Sequence, residues 1–330
     1  MMQSVIQLAA HLKTSLHSPA NAVELKALEL ALGYPLPEQV RALYSTTNGL
    51  KLNVREGYPQ PRLMTVEAVT EFLRVSEWDK RYLPLTANDD SNHYCVRCDE
   101  TLMGYVVYVD HEDLPTIKFR DVDTFMKALQ KYYHDGFTYP QEGLYDTNDP
   151  EAADQHDAHF DRLNIHGVPS QFLHPERTPH DLAAARRLIT SVHETFRPDN
   201  RTHRYEMYLA LWLLNDAEEI AALSRYVRMD FLIERLQALP ASHAQPTLTQ
   251  LTARLDMFTE HCAEKLRQFG LNVWNKFNFH GDIRLEAGSK NLRYPYSMAD
   301  WYFWSHWYTT EAEFDQVILQ RVTSVERRPD

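Results

Sequence analysis

The 330 residues exceed the usual span of one domain and favour two, and 44% apolar with 12% aromatic residues suffice to fill their cores. A formal net charge of -12 excludes bulk attraction to a phosphate backbone and suits a basic protein partner instead. No apolar run is long enough to cross a bilayer, and three cysteines fit a reducing compartment, so the expected setting is cytoplasmic, with neither membrane nor nucleic acid as partner.

In chain order, residues 4–16 and 22–32 carry apolar positions at helical spacing. Gln7, His11 and Lys13 interrupt the first run, which therefore reads as an amphipathic helix and not as a secretion signal. In the second, Val23, Leu25, Leu28, Leu30 and Leu32 are the predicted inner stripe, and Asn21 the predicted N-cap. Gly33 supplies a stop and Pro35 prevents continuation. Pro37 is placed in the first turn of the next helix, where its missing N–H costs nothing. Val40, Leu43 and Tyr44 are that helix's inner face, and Asn48-Gly49 ends it.

The period then changes. "LKLNV" and "PRLMTV" read as short strands, followed by a helix over 66–76. "YLPLTAND" leads into a turn at Asp89-Asp90-Ser91-Asn92, then "HYCVRC", then "GYVVYVDHED". Tyr105 to Val109 is rich in β-branched and aromatic residues and reads as a central strand. "DVDTFMKALQKYYHDG" closes the unit, capped by Asp121 or Asp123, with Phe125, Met126, Leu129 and Tyr133 facing inward. Helices, an antiparallel meander and a closing helix make an α+β pattern.

Residues 138–180 are dense in Pro, Asp, His and Gly and read as a linker between an α+β domain over 1–137 and a mainly α-helical domain over 181–330. The second domain is expected to carry "HDLAAARRLITSVHETF", two helices within "HRYEMYLALWLLNDAEEIAALSRYVRMDFLIERLQAL", and a further helix stopping at Gly270. The aromatic run Trp301, Tyr302, Phe303, Trp304, Trp307 and Tyr308 is assigned to its core.

Four segments in order carry a family resemblance: "LELALGYPLPEQVRALYSTTNG", "PLTANDDSNHYCV", "GYVVYVDHED" and "FRDVDTFMKAL". Residues from about 22 to 135 resemble the SUKH superfamily, which includes bacterial immunity proteins and a fungal cell-wall-assembly regulator. The chain departs from the common form in having Leu50 after Asn48-Gly49, where a second Gly is frequent, and in its helical extension. The resemblance implies an N-terminal domain with an antiparallel-rich sheet flanked by helices and no enzymatic activity. It also implies an immunity protein that neutralises a bacterial polymorphic toxin by direct binding. An intracellular regulatory or scaffold protein of cell-wall type is the alternative, and a metal-dependent enzyme a third reading.

The candidate partner surface is acidic. Asp89, Asp90, Asp99, Glu100, Asp110, Glu112 and Asp113 fall at expected turns between strands, where they would steer a basic toxin domain; the same residues also suit ordinary solvated turns. No catalytic residue, cofactor or metal is assigned. His156, Asp157, His159, Asp161 and His166 are conceivable metal ligands, but the chain holds 16 histidines and chance clustering explains them as well. Asp110, His111 and Glu112 read as a turn rather than an acid–base group. Cys95 and Cys98 form a C-x-x-C on an alternating strand, which points the two thiols to opposite faces and makes them ordinary thiols.

Overall fold

The computed structural model describes residues 6, 15–51, 62–87, 92–109, 114–134, 170–173, 176–197, 200–227, 229–253, 271–274 and 284–287. The chain divides into two units, Met1–Glu176 and Arg177–Asp330, with the division inside the stretch read as a linker.

The first unit begins its described part with strand β1 (Ser15–Leu16), which pairs antiparallel with β2 (Leu50–Lys51). This corrects the helix expected to reach residue 16. Helix α1 (Ala22–Leu32) opens on a capping box: Asn21 Oδ1 accepts the N–H groups of Val23 and Glu24, and Glu24 accepts the N–H of Asn21 at 2.7 Å. Gly33 closes it at φ 80. The inner stripe is narrower than expected. Leu25, Leu28 and Leu32 are buried, whereas Val23 and Leu30 stand 78% and 73% exposed. Residues 23 and 30 are seven apart and share the outward face, while 25, 28 and 32 keep the three-and-four spacing that meets the core.

Helix α2 (Glu38–Tyr44) takes Pro37 as its N-cap residue, one position earlier than expected, and ends at Tyr44 rather than at Asn48. Asn48 and Gly49 do a different job. Asn48 Oδ1 accepts the N–H of Val66 at 2.6 Å, capping α3 (Val66–Val75) from outside its own segment, beside the Thr65 cap on Ala68. Gly49 sits at φ 89 against the backbone of strand β3 (Arg62–Leu63) and its successor. A Cβ there would lie 3.0 Å from the Leu63 carbonyl oxygen.

The sheet has four antiparallel strands in the order β4 (Tyr82–Pro84), β6 (His93–Arg97), β7 (Val106–Val109), β8 (Thr116–Phe119). β5 (Thr86–Ala87) continues β4 and pairs with β3. Register places Leu83 opposite Val96, Cys95 opposite Val107, and Val106 opposite Phe119, with a bulge between β7 and β8. One face (Leu83, Tyr94, Val96, Val106, Tyr108, Phe119) meets Leu28, Leu32, Val40, Leu43, Val69 and Leu73 from the helices. The closing helix α4 (Val122–His134) adds Phe125, Met126 and Leu129, and Tyr94 stacks on Phe125 at 5.0 Å. Each such fully buried side chain contributes roughly 1.5–3 kcal/mol. The opposite face (Tyr82, Cys95, Arg97, Tyr105, Val107, Ile117) is also buried, and it holds the polar cluster described below.

In the second unit, α5 (Pro179–His193) starts on a Thr178–Asp181 capping box with Pro at its first turn. It packs along α6 (Arg201–Leu213), capped by Asn200. Asp216 then caps α7 (Ala217–Ala222), so the stretch read as two helices holds three, ending with α8 (Met229–Gln237). At the end of α6 the carbonyls of Trp212 and Leu214 accept from Arg177 and Arg235 at 3.0 and 2.6 Å, as the last carbonyls of a helix require partners from outside it. Burial pulls the pKa of Arg235 down to about 10. Residues 241–253 are helical, and β9 (Leu271–Trp274) pairs antiparallel with β10 (Arg284–Ala287). That strand pair was not expected from the sequence; it leaves the unit mainly helical among the described residues.

Candidate functional site

Strand alternation on β6 sends Tyr94 and Val96 toward the helices and Cys95 and Arg97 the other way. The Arg97 side chain has no exposed surface. Its Nε donates to Asp99 Oδ1 at 2.5 Å, one terminal nitrogen donates to the Tyr82 hydroxyl at 3.2 Å, and the other to Thr101 Oγ1 at 3.2 Å. The Thr101 hydroxyl donates to the second Asp99 oxygen. The guanidinium lies over the Tyr82 ring, 4.8 Å from its centroid, because Tyr82 is its direct cross-strand neighbour. The backbone of the following turn is tied as well: Arg97 N–H donates to Tyr105, and Gly104 N–H donates back to Arg97, both at 2.9 Å.

Beside this group Arg81 donates to both oxygens of Asp79, at 2.5 Å for the closest approach. Burial works against the charge on Asp79 and on Asp99, yet the Arg81 and Arg97 hydrogen bonds and charges outweigh it, and both carboxyls titrate below their ordinary range. Two guanidiniums and two carboxylates therefore balance within one cluster at the end of the sheet. The arrangement fixes the turn over 98–104 and leaves Glu100 exposed upon it.

Cys95 and Cys98 are free and buried, Cys98 in the helix-covered core and Cys95 outside it. Burial raises both thiols, Cys98 to about 12 and Cys95 well above its usual value, which suppresses thiolate chemistry. His93 Nδ1 meets the Thr86 carbonyl at 2.7 Å, so that nitrogen carries the proton, and burial lowers the ring's pKa. Its ring packs against Phe72 and Trp78, which is structural placement for a neutral imidazole.

Of the seven acidic candidates, the structure describes two. Asp99 is held by Arg97 and Thr101 with its side chain 13% exposed, and Glu100 faces solvent one residue on. Asp89, Asp90, Asp110, Glu112 and Asp113 lie outside the described residues. So do the histidine and aspartate group over 156–166 and the aromatic run over 301–308. Asp121 caps α4 through Thr124 N–H at 2.7 Å, and Asp123 pairs with Lys127 at 2.7 Å. Among the described residues, no group of three or more His, Cys, Asp or Glu is placed to hold a metal, and no helix is long and apolar enough to cross a membrane.

Arg97 and Gln39 carry no assignment in the sequence reading, and Asn48 is read there only as a helix stop. A signal existed for the first: an arginine at an inward position of an alternating apolar run, followed two residues later by aspartate. Nothing marks Gln39, whose partner is the N–H of Val122 at 2.9 Å, far along the chain.

A helix-backed antiparallel sheet with helices packed on one face defines an α+β domain. Residues 19–128 match the SMI1 / KNR4 family (SUKH-1), and the SUKH resemblance read from the sequence stands on that span. No curated protein matches the chain. The SUKH family is generally non-enzymatic and suggests an immunity-protein or related regulator role.

Proposed function

We propose that the chain is a non-enzymatic binding protein, and that it acts as an immunity protein that neutralises a bacterial polymorphic toxin by occluding it. The observation that carries this reading is the SUKH-1 match over residues 19–128. The net charge of -12 supports a basic toxin domain as partner. The acidic set Asp89, Asp90, Asp99, Glu100, Asp110, Glu112 and Asp113 is the proposed contact surface, with Asp99 buttressing the turn and Glu100 presented by it. The setting proposed is cytoplasmic. The SUKH family's regulator members keep an intracellular regulatory or scaffold role as the second reading.

Co-expression with the product of the neighbouring gene tests the proposal. Rescue of growth from that product, with the two proteins co-purifying in fixed ratio, is the expected result. Charge reversal at Asp110, Glu112 and Asp113 should then slow association and flatten its salt dependence. Toxicity undiminished by the chain, or catalytic turnover by the purified protein, rejects the immunity reading.

A further inference from the structure

Ser170 and the single 3-10 turn Gln171–Leu173 that follows it pack against β8 of the sheet. Among the described residues β8 is the last strand of the sheet, and its register against β7 shifts at Lys118. Ser170 Oγ donates to the Lys118 carbonyl at 2.8 Å and accepts the Phe172 N–H at 3.0 Å. The Phe172 ring is 3% exposed. It lies 6.5 Å from the Tyr105 ring, with the Arg120 guanidinium 5.0 Å from its centroid. Arg120 also donates to the Glu176 carbonyl at 3.2 Å.

An edge carbonyl filled by a hydroxyl, an aromatic plug on the β7–β8 face and a cation over its ring form a recognition pattern. They join segments more than fifty positions apart in sequence.

We propose that Ser170–Leu173 is a self-docked plug on a peptide-recognition site formed by Tyr105, Lys118 and Arg120, and that this site takes a peptide turn bearing a hydroxyl residue two positions before an aromatic one. The inference goes beyond the immunity reading and does not depend on it. Tethering gives the chain's own plug a high effective concentration, so an external peptide enters only when the plug is removed.

The test uses the full chain carrying Phe172→Ala and, as probe, a fluorescein-labelled peptide with the sequence of residues 168–178. Fluorescence anisotropy should show saturable binding to the variant at least about tenfold tighter than to the unaltered chain. Replacing the peptide's Phe by Ala should abolish it. Equal affinity for both chains, no binding to either, or binding that survives loss of the peptide's Phe overturns the proposal. Hydrogen exchange on the unaltered chain tests it even where the variant does not fold. The Phe172 amide should exchange about a hundredfold faster than the amides of β6 and β7, through local opening. Exchange of Phe172 only in step with those strands overturns it.

Discussion

The side-chain carbonyl of Gln39 accepts the backbone N–H of Val122 at 2.9 Å, joining the start of the second helix to the start of the closing one across 83 positions of sequence. Val122 opens α4 and is fully buried, so its N–H has no water to turn to. Gln39→Ala should therefore cost about 1 kcal/mol, the usual penalty for a lost helix cap. Gln39→Glu should retain most of that stability, because a carboxylate also accepts the N–H and suits the positive end of a helix. Urea denaturation of the two variants checks the order; a Gln39→Ala chain as stable as the unaltered one would show that the contact contributes nothing.

Gly33 and Gly49 have nearly the same backbone, φ 80 and 89, but different surroundings. A Cβ on Gly33 meets nothing within 4 Å among the described residues, whereas on Gly49 it would press on the backbone of Leu63 and Met64 at 3.0–3.2 Å. Gly33→Ala should cost the left-handed conformation alone, about 1–2 kcal/mol. Gly49→Ala should cost that and an overpacking penalty of about 1–3 kcal/mol more. Denaturation midpoints that fall equally would reject the close-approach account.

The same pair shows what the sequence discloses. Asn21, Gly33 and the 25, 28, 32 stripe are local signals, and they are legible because caps and periodicity act within one or two turns of chain. Asn48-Gly49 is visible as a stop, but its purpose is not, since Val66, Leu63 and Met64 reach it only through the fold. The outward face of Val23 and Leu30 was misread for a related reason: leucine and valine count as apolar whichever way the helix turns. The candidate surface was legible as acidic composition, whereas Asp99 was distinguished from Glu100 only by the arginine that β6 aims at it.

Tyr44 closes the second helix with its ring in the core and its hydroxyl enclosed without a hydrogen-bond partner among the described residues. Desolvation alone raises the phenol's pKa, as expected of a group with nothing to stabilise the anion. Tyr44→Phe removes an unsatisfied polar atom and leaves the ring packing in place. Stability should rise by about 1 kcal/mol. A loss of stability in thermal or urea unfolding would mean that the hydroxyl has a partner in solution.

The Arg97–Asp99 pair sets a pH dependence whose sign follows from its geometry. Burial disfavours the Asp99 carboxylate, but Arg97 and Thr101 more than compensate, so its folded pKa lies below the unfolded value of about 4. A carboxyl with a depressed folded pKa contributes fully above the unfolded value, and the contribution is lost as pH falls through the folded one. Asp99→Asn keeps the shape yet leaves Arg97 buried without its counter-ion, which should cost about 3 kcal/mol at neutral pH. Other carboxylates, Asp79 and Glu29 among them, also titrate low and bend the acid limb of the unaltered protein. The difference between protein and variant removes the effect of Glu29, which pairs elsewhere with Arg41, and reports the response of the Asp99–Asp79 cluster as a unit. That difference should be constant from pH 7 down to about 5 and shrink below about 4. Urea unfolding at several pH values measures it, and a gap that stays unchanged at pH 3 would show that Arg97 is not what holds the Asp99 charge in place.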